Sequence, residues 1–149
     1  MSLISKQALT DTGINWNVLG DAIPAAGYYG RTSGLHTMAF TIRNFVGRIY
    51  VVATLENSVA EADAKNGWFP IHIGGADNSP WVEFPGNSNP GTGLYGYQTS
   101  GTFCETFFGN FTYLRVGIDR DYLKDSSTQV IGPADTASVG KIETVLLNY

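Results

Sequence analysis

The chain has 149 residues, enough for one domain with a core that needs neither metal nor disulfide support. Its 9 basic and 13 acidic residues leave a net charge of −4, and no Lys/Arg cluster supplies the footprint of a nucleic-acid or anionic-lipid binder. A single cysteine excludes an internal disulfide, and no apolar run reaches the roughly 20 residues of a membrane-spanning helix.

The N-terminus lacks the apolar stretch of a signal peptide, so the expectation is a soluble protein made in a cytoplasm. Eighteen glycines and a charged fraction of only 15% point to many tight turns and few surface helices. Low surface charge also tilts the reading towards a face covered by a partner.

In chain order, Ile14–Leu19 alternates apolar and polar residues, the mark of a half-buried strand. Leu35–Phe45 alternates likewise, with His36, Met38, Phe40 and Ile42 on one parity. Asn44–Gly47 reads as a turn, and Arg48–Leu55 is the strongest strand, with Ile49, Val51, Ala53 and Leu55 expected to face the core. Two strands joined by a short glycine-containing turn read as a hairpin. Glu56–Gly67 is a loop holding one helical turn. Trp68–Ile73 resumes β character, with Pro70 marking an edge or bulge.

Trp81–Phe84 is a further short strand. Pro85–Gly96 is a glycine-rich loop, and Tyr97–Phe103 leads out of it. Phe111–Ile118 places Leu114, Val116 and Ile118 inward, and Lys141–Tyr149 is strand-like to its end. About eight strands and no helix long enough for a parallel crossover predict an all-β fold, an antiparallel β-sandwich or jelly-roll-like domain over 1–149. Residues 1–13 are expected as an extended docking arm.

The motifs that could carry chemistry have plainer readings. Gly91–Gly96 matches G-x-G-x-x-G, but a Pro/Gly/Asn loop precedes it and a β-like stretch follows, where a dinucleotide site needs a strand and a helix N-terminus. His36 and His72 lie in predicted strands, and Cys104 sits among phenylalanines as a small core side chain. Two histidines and one cysteine make no zinc spacing, and no nucleophile–base pair stands out.

Asp119, Asp121 and Asp125 could gather around calcium, but Arg120 and Lys124 interrupt them and the calcium-loop spacing is absent; a solvated turn is the favoured reading. Asn110–Thr112 fits the glycosylation sequon, which means little without a secretory signal. No catalytic residue, cofactor or metal is expected.

The aromatics are more informative. Trp and Tyr combine an apolar ring with a polar tip, suited to interfaces and to sugar stacking. Trp16, Trp68 and Tyr113 are expected in the core. Tyr28, Tyr29, Tyr95 and Tyr97 lie beside glycines in loops and are the candidate interface residues, together with Leu3 and Ile4 of the arm.

Four stretches together carry a resemblance: Phe45–Glu56, Gly67–Ile71, Phe111–Ile118 and Gly140–Tyr149. Their strand patterns and order resemble small β-sandwich structural proteins of tailed bacteriophages, particularly marine and cyanobacterial ones. The resemblance implies a virion component that acts by assembly contacts: a capsid decoration protein, or a neck, tail or fibre accessory. Its partners would be other virion proteins and copies of itself, and no nucleic acid or membrane. The same strand pattern also resembles galactose-binding-like sandwiches, which implies a carbohydrate- or host-receptor-binding module as the alternative.

Overall fold

The computed structural model describes residues 5–13, 15–30, 33–73, 79–84, 99–121 and 140–149. Within them run β1 (Ser5–Leu9), β2 (Val18–Leu19), β3 (Ile23–Pro24), β4 (Leu35–Phe45), β5 (Gly47–Thr54), α1 (Val59–Ala64), β6 (Phe69–Pro70), β7 (Val82–Phe84), β8 (Thr99–Phe108), β9 (Tyr113–Asp119) and β10 (Lys141–Asn148). Every strand pairing is antiparallel.

Two sheets pack face to face. The first has the order β1-β10-β4-β8. The second is built on two central strands, β9 and β5, with broken margins: β2 and β3 run along β9, and β6 and β7 run along β5.

Period-two patterning decides which side chains fill the space between them, because alternate residues of a strand face opposite ways. Met38, Phe40 and Ile42 of β4 with Ile142, Val145 and Leu147 of β10 meet Ile49, Val51 and Ala53 of β5 and Leu114, Val116 and Ile118 of β9. All are at most 2% exposed, so the inward parity expected for Ile49, Val51 and Ala53 and for Leu114, Val116 and Ile118 is the one the fold uses. Leu55 departs from it. It lies just past β5 and is 64% exposed, while Thr54 turns inward instead. The bonds from Thr112 to the Thr54 and Glu56 carbonyls hold the chain in that exit.

Four other expectations are corrected. The strands β4 and β5 are not a hairpin: β4 pairs with β10 and β8, β5 with β9, β7 and β6. The expected turn residues are real, but they carry the chain from one sheet to the other. Asn44 adopts a left-handed φ of 48°, and the β4–β8 register shifts between Ile42 and Phe45, so the strand twists out of its sheet there. The Ser100 hydroxyl accepts the Asn44 N–H at 2.8 Å and donates to its side-chain oxygen at 3.2 Å.

Second, the stretch expected as a docking arm is partly a strand of the chain's own sheet. β1 pairs with β10 from Ser5↔Asn148 to Leu9↔Val145, and Ala8 and Leu9 are in the core. Third, of the described residues in the strand expected over Ile14–Leu19, only Val18–Leu19 are strand, because Asn15–Asn17 bend around a buried arginine.

That arginine is Arg120, expected in a solvated turn and found fully buried. Its Nε donates to the Val46 carbonyl at 2.8 Å, and its terminal nitrogens donate to Asn15, Trp16 and Gly140 carbonyls. The guanidinium carbon lies 4.8 Å from the Phe45 ring centre. A planar fork with fixed donors reaches several carbonyls at once, which a lysine could not do. One side chain therefore joins the N-terminal bend, the crossing between sheets and the start of β10.

Candidate functional site

The outward face of the second sheet carries a cleft that the sequence reading did not anticipate. Burying Ile49, Val51 and Ala53 turns Arg48, Tyr50 and Val52 of β5 outward, and burying Leu114, Val116 and Ile118 does the same for Arg115, Gly117 and Asp119 of β9. The register sets Arg48 opposite Asp119 and Tyr50 opposite Gly117. Gly117 is what lets the Tyr50 ring lie down across β9. A Cβ there would stand 2.6 Å from the ring's Cζ and hydroxyl and 2.8 Å from the Val18 carbonyl oxygen.

Trp81 enters from the bend before β7, with the Arg48 guanidinium carbon 4.2 Å from its ring centre. Arg48 is held in turn by Glu83 of β7, its Nε donating to Oε1 at 2.7 Å. Beside these rings lies a cavity of about 250 Å³ lined by Arg48, Tyr50, Pro70, Pro80, Trp81 and Asp119. A second cavity of about 270 Å³ adjoins it, sharing Tyr50 and Asp119 and adding Asn17 and Asp121. One half of the cleft is ring and proline; the other is amide and carboxylate.

The polar half is pinned by its own hydrogen bonds. Asp119 accepts the Asp121 N–H at 2.9 Å, Asp121 accepts the Trp16 indole N–H at 3.1 Å, and Asn17 accepts the Arg120 N–H at 2.9 Å. Burial, and then the nearby Asp119 charge, push the Tyr50 phenol above its ordinary range, against a smaller opposing pull from Arg115. Tyr50 is therefore a neutral hydroxyl that can donate or accept.

The expected interface tyrosines that the structure describes stand on the surface. Tyr28 and Tyr29 occupy a turn after β3, closed by N–H bonds to the Ala25 and Ala26 carbonyls at 3.1 and 3.2 Å. Ala25 and Ala26 are buried and anchor it, while the rings project, edge to face, 5.0 Å apart. Tyr113 and Tyr149 pack beneath them, and Lys6 Nζ lies 5.7 Å from the Tyr29 ring centre. Leu3, Ile4, Tyr95 and Tyr97 lie outside the described residues, as do Asp125 and the Gly91–Gly96 loop.

The histidines and the cysteine do not converge. His36 points into the core, stacked on Phe107 with ring centres 5.0 Å apart. Cys104 is exposed, not a core side chain, because it stands opposite Ala39 on the outward parity of β8. His72 is exposed in the segment after β6, a strand of the other sheet. Among the described residues, no group of three His, Cys, Asp or Glu side chains is placed to hold a metal ion. Trp16 is buried as expected, whereas Trp68 and Tyr113 are half-buried, and Trp68 packs against Arg115 at 5.7 Å.

A third surface is the margin formed by β8. It has β4 along one side and, among the described residues, no strand along the other. Phe103 and Phe108 on β8 and Leu35 opposite Phe108 are all exposed. No protein family, curated protein or solved structure matches the chain.

Proposed function

We propose that this protein is a structural component of a tailed-bacteriophage particle, a capsid decoration protein or a neck or tail accessory. It is made in the host cytoplasm and works by contacts with its own copies and with other virion proteins. The observation that carries the reading is the β8 edge. An exposed strand edge presents a row of backbone donors and acceptors to any neighbour, and free monomers usually blunt such edges with lysine, proline or short strands.

The second sheet follows that practice, with margins of two- and three-residue strands that include Pro24 and Pro70. β8 does not. It runs ten residues without lysine or proline, its one charge is Glu105, and it exposes two phenylalanines. Partial burial holds the Glu105 carboxyl above its ordinary range. Such an edge suits a chain whose neighbours cover it in a symmetric assembly.

The test is occupancy in purified particles, read by mass spectrometry. The double substitution Thr106→Lys with Phe108→Lys should lower occupancy at least about tenfold while the isolated protein keeps its β-sheet circular dichroism. Wild-type occupancy for that variant, or particles that lack the unaltered protein, would overturn the proposal.

A further inference from the structure

We infer that the cleft on the outward face of the second sheet binds a neutral saccharide, one hexopyranose unit seated between Trp81, Tyr50 and Asp119. The inference is separate from the particle reading, because β8 belongs to the opposite sheet.

Charge selects the class of ligand. An organic cation entering the ring-lined half meets Arg48, whose guanidinium already covers one aromatic ring at 4.2 Å. An anion entering the polar half meets Asp119 and Asp121. A phosphate-bearing ligand is disfavoured on the same ground. A neutral molecule with an apolar face and several hydroxyls satisfies both halves.

The fit is chemical as well as electrostatic. A pyranose presents C–H groups on one face and hydroxyls around its rim. The rings of Trp81 and Tyr50 with Pro70 and Pro80 supply apolar wall for the former. Asn17, Asp119, Asp121 and the Tyr50 hydroxyl supply acceptors and a donor for the latter.

The cleft is preorganised, which reduces the entropy lost on binding. Glu83 and Arg48 hold the Trp81 wall, Gly117 seats Tyr50, and Asn17, Asp119 and Asp121 are each oriented by a bond from a neighbouring N–H. Cavities of about 250 and 270 Å³ suit one small ring each and are below the size of larger ligand pockets.

The test is an NMR titration of the full chain with methyl glucoside, methyl galactoside, methyl mannoside and N-acetylglucosamine. At least one should bind with a dissociation constant on the order of 1 mM, with shifts centred on Tyr50, Trp81 and Asp119. The anionic analogue glucuronate should bind at least about tenfold more weakly than its neutral counterpart.

Trp81→Ala should weaken binding at least about tenfold; should it fail to fold, the isosteric Asp119→Asn carries the same expectation. The inference is overturned if no neutral sugar shifts these residues at about 50 mM, if glucuronate binds equally well, or if a folded variant binds as the wild type does.

Discussion

His36 shows how a single side chain ties stability to pH. Its Nδ1–H donates to the Gly34 carbonyl at 3.0 Å, since a carbonyl can only accept, and this leaves Nε2 as a bare lone pair among Phe107, Phe111 and Tyr149. Nε2 has no hydrogen-bond partner among the described residues. Burial pushes the imidazole below its ordinary value of 6.5, with the Gly34 bond acting weakly the other way. The unfolded chain then binds a proton more readily than the folded one, so stability is full above about pH 6.5 and declines as pH falls below it.

His36→Phe, which keeps a ring on Phe107, should flatten that decline between about pH 7 and pH 5 in urea midpoints. An unchanged pH slope in the variant would show that another group is responsible. Arg120 acts at the same scale and needs no titration. Arg120→Lys keeps the charge but loses the fork to four carbonyls. It should cost about 3 kcal/mol or more, measured as a lowered urea midpoint at unchanged slope.

Among the elements, β1 changes what an N-terminal truncation should do. An arm lying on a neighbour could be removed without harm to the domain, but β1 covers the β10 edge and adds Ala8 and Leu9 to the core. Leu9→Ala should cost about 2–3 kcal/mol, and deletion of residues 1–10 should destabilise the isolated protein by more. A deletion with wild-type thermal stability would return β1 to the role of an arm.

β1 was illegible because Ser5–Leu9 alternates poorly, and only the long β10 beside it makes a strand of it. Asn44–Gly47 was half legible. Its turn residues are a local signal, but the sheet that receives the next strand is set by Arg120 and Ser100, far along the chain. Cys104 misled for a related reason. Phenylalanine neighbours in sequence suggest a core, yet alternation on an edge strand puts Cys104 on the solvent side.

At the scale of the whole molecule, the sandwich keeps two different surfaces apart: the β8 edge on the first sheet and the ring-and-carboxylate cleft on the second. Substitutions that share no contact act independently. Trp81→Ala should therefore leave particle occupancy at the wild-type level, and the β8 double substitution should leave sugar titrations unchanged. Coupled losses would mean that the two faces form one binding surface.

The all-β architecture, the inward faces of β5 and β9 and the two parities of β4 could be read directly, because alternation is a property of neighbouring residues and burial rewards it wherever the strand goes. Sheet membership, the burial of Arg120 and the cleft could not. The cleft joins Asn17, Tyr50, Trp81 and Asp119 from four separate stretches, and each alone reads as ordinary strand or turn. Their meeting depends on the register of β5 against β9 and on Gly117 lying opposite Tyr50. Those are long-range pairings, and the folded sheets set them.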